Sequence, residues 1–130
     1  MVKFGYTIVY VKDVKAELDF FVNTFGFKVK FITPDGDYGE LETGQTVLSF
    51  ASYSLANDNF GDKYTELSMK KGFSVELALI ADNVGLTHNK ALEKGAKELK
   101  KVSIKPWGQE VSYILTPQDV LVEICSPIDD

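Results

Sequence analysis

Hydrophobic and polar residues follow the same order twice along this chain. An apolar run at residues 4–11 precedes apolar residues at helical spacing over residues 14–25, which predicts a strand and then a helix. A second apolar run at residues 73–81 precedes a second helical pattern over residues 84–94. The two copies align at a constant offset of 70 residues, so a duplicated unit is predicted.

Three further strands are predicted after each helix. They span residues 27–33, 38–43 and 46–51 in the first half, and residues 99–104, 111–115 and 120–124 in the second. Each half therefore has the order βαβββ, with module 1 at about residues 3–52, a linker at residues 53–71 and module 2 at about residues 72–127. We predict a single α+β domain over residues 1–130, in which two sheets placed edge to edge can enclose a cleft.

Strand alternation predicts which side chains point away from the helices. Each helix must cover one face of its sheet, so the other face is available to line a cleft. The alternation places Glu76 and Glu123 on that face, with Tyr6 at the equivalent position of the first strand. An acidic side chain in an apolar strand costs free energy unless it has a partner. Glu76 and Glu123 are therefore candidate functional residues, and the alternative is pairing with Lys28, with Lys30 or with each other.

Composition and charge restrict the class of protein. The 130 residues are 45% hydrophobic and 25% charged, as in ordinary globular domains. The net charge of -5 argues against a nucleic-acid partner, which would require clustered lysines or arginines. Cys125 is the only cysteine, so we interpret it as a buried thiol and expect no disulfide. The apolar run at residues 6–11 is too short to span a bilayer, so we expect a cytoplasmic protein with no membrane partner.

Several short motifs resemble those of one known family. Residues 11–13 (Val-Lys-Asp) followed by residues 18–27 (LDFFVNTFGF) resemble its Val-x-Asp and Phe-Tyr-x-x-x-Leu-Gly-Phe signature. Residues 106–110 (PWGQE) and 116–124 (TPQDVLVEI) resemble its Pro-Trp-Gly and Asp-Pro-Asp-Gly-x-x-x-Glu-Leu ending. The family is the vicinal oxygen chelate superfamily, which includes glyoxalase I, bleomycin-resistance proteins and extradiol dioxygenases. The resemblance implies two βαβββ modules that form a cupped, incompletely closed eight-stranded barrel.

The same resemblance implies where a metal ligand would lie. Metal-dependent members place a ligand on each of four strands, commonly His, Glu, His and Glu. Those positions fall on Tyr6, Ser49, Glu76 and Glu123 of this chain. Zinc, nickel and iron favour nitrogen and sulfur ligands, although two glutamates and several waters could hold magnesium or manganese. We therefore expect no cofactor, with a divalent metal as the alternative.

The remaining histidine and the aromatic residues complete the set of candidates. His88 is the only histidine and lies in the second predicted helix, so we expect a partly exposed side chain that acts neither as a ligand nor as a general base. Several rings could line the cleft, namely Tyr6, Tyr10, Tyr38, Tyr113 and Trp107 at the rim. Aromatic walls with a few polar groups are typical of small-molecule sites, and the alternative is that these rings belong to the core.

These observations favour a binding protein similar to the metal-free bleomycin-resistance members. We expect it to bind a small aromatic or cationic molecule through Tyr6, Tyr38, Ser49, Glu76, Trp107, Tyr113 and Glu123. One alternative is a divalent-metal-dependent lyase, isomerase or dioxygenase of the glyoxalase type, with Glu76 or Glu123 as the base. Another is metal-free acid–base catalysis by the same two carboxylates. The resemblance also implies a homodimer, with residues 53–71 as a segment that could cross between subunits.

Overall fold

Both halves of the chain fold in the order strand, helix and three strands. The computed structural model describes residues 1–128, which belong to two compact units, residues 1–67 and residues 68 onward. The N-terminal unit contains β1 (Tyr6–Val11), α1 (Val14–Phe25), β2 (Lys28–Ile32), β3 (Tyr38–Glu42), β4 (Val47–Ser52) and α2 (Tyr53–Phe60). The C-terminal unit contains a 3-10 turn (Met69–Lys71), β5 (Leu77–Ile80), α3 (Val84–Glu93), β6 (Lys97–Ile104), β7 (Glu110–Leu115) and β8 (Leu121–Cys125). The predicted α+β fold with two βαβββ modules is confirmed.

The strands form two four-stranded sheets with the same topology. Their orders are β1-β4-β3-β2 and β5-β8-β7-β6. In each sheet the first and last strands of the unit pair in parallel, and the other pairs are antiparallel. A helix and two strands connect these parallel neighbours, which provides the long connection that a parallel pair requires. The matching topologies agree with the duplication predicted from the sequence.

Helix α1 packs on one face of the N-terminal sheet. Its Phe21 ring lies 5.1 Å from that of Phe50 on β4, and both side chains are fully buried with Leu41 of β3. The helix begins at Asp13, whose carboxylate accepts the Ala16 amide, as an N-cap does. It ends at Gly26, which adopts a φ of 77° that glycine tolerates best. We call the opposite face of this sheet, and the face opposite α3 in the C-terminal sheet, the distal face.

Residues 53–60 form an eight-residue helix, where the sequence predicted a linker with at most a short helical turn. The hydroxyl of Ser52 accepts the Leu55 amide and caps the start of α2. Ala56 is fully buried, and Phe60 packs edge to face on Tyr10 at 5.9 Å. Asn and Asp are poor helix formers in isolation, so three of them in this stretch concealed the helix. Tertiary contacts from Ala56 and Phe60 offset that weak propensity.

Strand β5 is shorter than predicted. The apolar run at residues 73–81 suggested a strand with Glu76 near its middle, but the paired residues are Leu77–Ile80. Glu76 therefore directly precedes the strand. The register pairs Ala78 with Glu123 and Ile80 with Cys125, so these residues share the distal face. No described helix is long and apolar enough to cross a membrane.

Candidate functional site

On the distal face of the N-terminal sheet, Tyr38 joins two polar side chains. Its hydroxyl lies 2.6 Å from Glu40 Oε2 and 3.0 Å from Ser49 Oγ. The β3–β4 register sets Glu40 directly opposite Ser49. A carboxylate can only accept, so the one phenolic proton goes to Glu40 and the Ser49 hydroxyl donates to Tyr38. Two of the predicted residues, Tyr38 and Ser49, are thus in contact.

Tyr38 acts as a hydrogen-bond donor at neutral pH. Burial, then the hydrogen bond to Glu40 and the charges of Glu40 and Tyr6, together raise the pKa of Tyr38 to about 12, although the hydrogen bond from Ser49 opposes this shift. The phenol therefore keeps its proton. Tyr6, which the sequence also predicted, lies on the same distal face and is half-exposed.

Glu40 and Lys30 belong to this cluster and were not predicted. Glu40 is only 9% exposed, and its Oε1 lies 3.8 Å from Lys30 Nζ. Strand alternation could have found Glu40, because it stands two residues after Tyr38 and must share its face. Lys30 was considered as a possible partner of Glu76 or Glu123, but it pairs with Glu40 instead.

On the distal face of the C-terminal sheet, Tyr113 and Glu123 form a second phenol–carboxylate pair. The Tyr113 hydroxyl donates to Glu123 Oε1 at 2.7 Å, and the two residues lie opposite each other in the β7–β8 register. This bond, followed by burial and by the charges of Glu123 and Glu76, raises the pKa of Tyr113 to about 12. Tyr113 therefore also remains a donor at neutral pH.

Glu76 lies near enough to Glu123 for their charges to interact. Burial, and then the charge of Glu123, raises the pKa of Glu76 above its ordinary value of 4.5. Neither carboxylate has a lysine ion-pair partner among residues 1–128. The two predicted acidic residues thus share one face of one unit and carry uncompensated negative charge. Their alternative, pairing with Lys28 or Lys30, does not occur.

Cys125 shares the distal face with these carboxylates. Its side chain is buried, and its sulfur lies 3.6 Å from the Leu79 carbonyl oxygen. Burial, and then the charge of Glu123, raises the pKa of the Cys125 thiol. The prediction of a buried thiol is confirmed, and a thiol whose pKa is raised is a poor nucleophile at neutral pH.

Trp107 stands apart from the other predicted residues. It lies in the turn between β6 and β7, and its indole nitrogen donates to Gln109 Oε1 at 2.9 Å. Gln109 in turn donates to the Ser126 carbonyl oxygen. The exposed indole borders a small depression of about 110 Å³ with Pro127 and Ile128. No described contact joins Trp107 to Tyr113 or Glu123.

The exposure of His88 differs from the prediction. It is 3% exposed, where a partly exposed side chain was expected. Its Nδ1 lies 2.8 Å from Ser112 Oγ on β7, and its Nε2 lies 2.8 Å from Glu98 Oε2 on β6. Helical spacing from Val84 points His88 at the sheet, where these two polar groups satisfy the ring. Since Ser112 is fully buried on the helix-covered face, this trio links α3 to the sheet and offers no accessible nucleophile.

The four positions that hold metal in related proteins do not fit a transition metal here. Tyr6 and Ser49 replace the expected histidine and glutamate in the N-terminal unit, while Glu76 and Glu123 lie in the C-terminal unit. Across residues 1–128 no group of three or more His, Cys, Asp or Glu side chains is placed to hold an ion. Zinc and iron sites need imidazole or thiolate donors, and this donor set supplies neither.

Comparison with known proteins now places the chain in a family. The family model described as Glyoxalase/Bleomycin resistance protein/Dioxygenase superfamily matches residues 3–124. The chain belongs to this superfamily. The resemblance inferred from the sequence motifs is therefore confirmed, and the fold agrees with it.

Relatives of this superfamily member are similar along nearly their whole length. The uncharacterized protein YraH of Bacillus subtilis (strain 168) is 24% identical over 115 residues, which cover 88% of this chain and 90% of YraH. A glyoxalase-related enzyme from Fulvimarina pelagi superposes with a TM-score of 0.84 at 17% identity, covering 98% of this chain and 89% of that one. A family member from Burkholderia phytofirmans PsJN gives 0.83 at 20% identity, covering 94% and 96%. At these identities the structural likeness establishes the fold.

Proposed function

We propose that this superfamily member binds a small cationic, aromatic molecule and needs no metal ion to do so. The observation that carries the proposal is the Glu76–Glu123 pair, two neighbouring carboxylates without an ion-pair partner among the described residues. Two like charges repel each other and favour a bound cation. An organic cation can supply that charge without the imidazole ligands that a transition metal requires.

The surroundings of the pair suit such a ligand. Protonated Tyr113 holds Glu123 through a 2.7 Å hydrogen bond, which fixes one carboxylate oxygen and leaves the other available. Apart from this pair, the distal face of the N-terminal unit carries its own aromatic surface, with Phe31 and Tyr38 as a ring pair at 5.8 Å and Tyr6 half-exposed. Aromatic faces attract cations and stack on flat rings.

The biological role that fits this chemistry is sequestration of the ligand, as in drug resistance, by a cytoplasmic homodimer. The single buried cysteine supports a reducing compartment. The homodimer is an expectation from the family resemblance.

Calorimetric titration with matched probes tests the proposal. Benzamidine is a flat cation, and benzamide is its neutral counterpart of nearly the same shape. We expect the metal-free protein to bind benzamidine more tightly than benzamide. Glu123→Gln and Glu76→Gln should each weaken benzamidine binding at least about tenfold, because each removes one charged hydrogen-bond acceptor. Glu93→Gln, at an exposed position of α3, is the matched control.

Elemental analysis of the purified protein separates the alternative function. A stoichiometric divalent ion that is lost in Glu76→Ala or Glu123→Ala would favour a glyoxalase-type lyase, isomerase or dioxygenase instead. Equal affinities for benzamidine and benzamide would contradict recognition of the charge. Binding that a chelator leaves unchanged, and that both Gln substitutions weaken, supports the proposal.

A further inference from the structure

We propose that Glu40 is a second cation-recognition residue, located in the N-terminal unit, and that Lys30 competes with the ligand for it. The predicted ligand is a protonated amine or amidine carried on a flat ring. The proposal takes this ligand chemistry from the proposed function, but it concerns a different sheet and different residues.

Glu40 is a buried carboxylate, and one of its two oxygens already accepts a hydrogen bond. Oε2 accepts the Tyr38 proton at 2.6 Å, and Tyr38 is held in turn by the buried Ser49 hydroxyl. The side chain of Glu40 is 11% exposed. Burying a carboxylate is costly unless it is paired and hydrogen-bonded, so an oxygen that lacks a close partner at this depth is a strong acceptor.

The second oxygen of Glu40 has only a loose partner. Lys30 Nζ lies 3.8 Å from Oε1, which is beyond hydrogen-bond distance. The lysine side chain is 50% exposed and extends from β2, an edge strand. A partly exposed ion pair of this length contributes little free energy, so a ligand with well-placed N–H groups can displace it.

In the N-terminal sheet the carboxylate is on β3, as Glu40, whereas in the C-terminal sheet it is on β8, as Glu123. Across the strands of the N-terminal sheet, Glu40 pairs with Phe31 of β2 on one side and with Ser49 of β4 on the other. In the C-terminal sheet, Tyr113 lies opposite Glu123. Each sheet therefore carries one phenol–carboxylate hydrogen bond, which lies within β3 in the N-terminal sheet and between β7 and β8 in the C-terminal sheet. Glu40 accordingly places a negative charge beside Ser49.

An aromatic group stands next to Glu40. The Phe31 ring is partly exposed and contacts the Tyr38 ring at 5.8 Å. A flat ring that stacks on Phe31 would bring an attached amidinium toward the Glu40 oxygen that faces Lys30. This pairing of a ring and a charge selects aromatic cations over aliphatic ones.

Benzamidine titration of a Glu76→Gln/Glu123→Gln background tests this site alone. In that background, Lys30→Met should bind benzamidine about two- to fivefold more tightly than the parent, as expected when a weak exposed ion pair no longer competes. Lys30→Arg keeps the positive charge and should show no gain. Lys28→Met, at an exposed lysine opposite Glu42 on the same strand, is the matched control and should leave the affinity unchanged.

Two readouts locate the binding to Glu40. Amide NMR signals of Glu40 and Ser49 should shift with benzamidine and not with benzamide. Adding Glu40→Gln to Lys30→Met should remove the gain, with circular dichroism as the check on folding. Equal affinity of Lys30→Met and its parent, or equal shifts with both probes, would overturn the proposal. If benzamidine binding by the native chain still depended on Glu76 and Glu123, that result would leave the proposed function intact, so the two failures are distinguishable.

Discussion

Glu40 and Glu76 are two distal-face carboxylates in contrasting environments. Glu40 is buried and accepts a short hydrogen bond from Tyr38, whereas Glu76 is largely exposed. The main influences on Glu76 are partial burial and the charge of Glu123, and both disfavour its ionised form. The carboxylate of Glu40 thus has a hydrogen-bond donor within the fold, whereas the ionised form of Glu76 is disfavoured and would gain from a bound cation.

Replacement of Glu76 by glutamine should raise stability at neutral pH. The folded-state pKa of Glu76 lies above its ordinary value of 4.5, so the folded protein binds this proton more tightly than the unfolded chain does. The stabilisation from the protonated form is complete below pH 4.5 and is lost as the pH rises through the folded-state pKa. Because Glu76 is exposed, we expect Glu76→Gln to gain less than about 1 kcal/mol at pH 7.

Urea unfolding at pH 7 and at pH 4 measures this effect. The difference between Glu76→Gln and the native chain should shrink or vanish at the lower pH. Glu93→Gln serves as the control for the loss of one negative charge from the protein. A native chain that is more stable than Glu76→Gln at pH 7 would show that Glu76 has a favourable partner.

At the scale of elements, His88 links α3 to two strands. Glu98 can only accept, so Nε2 of the neutral ring carries the proton and Nδ1 accepts from the Ser112 hydroxyl. His88→Ala would leave the fully buried Ser112 hydroxyl without its partner. We expect a loss of about 1–3 kcal/mol in the free energy of unfolding, measured by urea denaturation at pH 7.

Two further variants separate the hydrogen bonds from general helix effects. Glu98→Gln should cost less than His88→Ala, because the Glu98 side chain is 45% exposed and can use water instead. Lys90→Ala on the exposed side of α3 should be nearly neutral. Equal losses for His88→Ala and Lys90→Ala would contradict a linking role for the histidine.

Periodicity predicted most elements, and the exceptions have physical causes. Helix α1 was predicted with its true bounds, because Asp13 and Gly26 are strong end signals. Helix α2 was missed, since its polar residues carry little intrinsic helical preference and it is held by contacts distant in sequence. The apolar run that begins at Phe73 suggested more strand than the β5–β8 pairing supports. A hydrophobic run does not by itself report the length of a hydrogen-bonded strand.

The candidate site was predicted in part. Alternation assigned Glu123 and Tyr6 to the correct faces, and placed Glu76 next to Glu123. Glu40 was missed because its importance depends on the β3–β4 register, which sets it opposite Ser49. Sequence alternation gives the face of a residue, but the partner across the sheet follows only from the register. The burial of His88 likewise depended on the polar groups that the sheet offers to it.

At the scale of the whole molecule, the four edge strands fall into two kinds. Edge strands β2 and β6 carry several lysines, a feature that discourages strand-to-strand association. Edge strands β1 and β5 carry no charged residue and expose Tyr6, Ile8 and Ile80. Unprotected apolar edges favour a partner surface, which agrees with the homodimer expected from the family resemblance.

We therefore predict that a second copy of the chain covers the β1 and β5 edges. Size-exclusion chromatography with light scattering should give about twice the 14.5 kDa mass of one chain. Ile80→Lys should shift the species toward the monomer, because it places a charge at the β5 edge, where Ile80 is 71% exposed in the single chain. Ile104 is 73% exposed but lies on lysine-bearing β6, so Ile104→Lys should leave the dimer intact.

A native chain that elutes as a monomer at micromolar concentration would contradict the prediction. Equal dissociation by both substitutions would argue against the β5 edge as part of the interface.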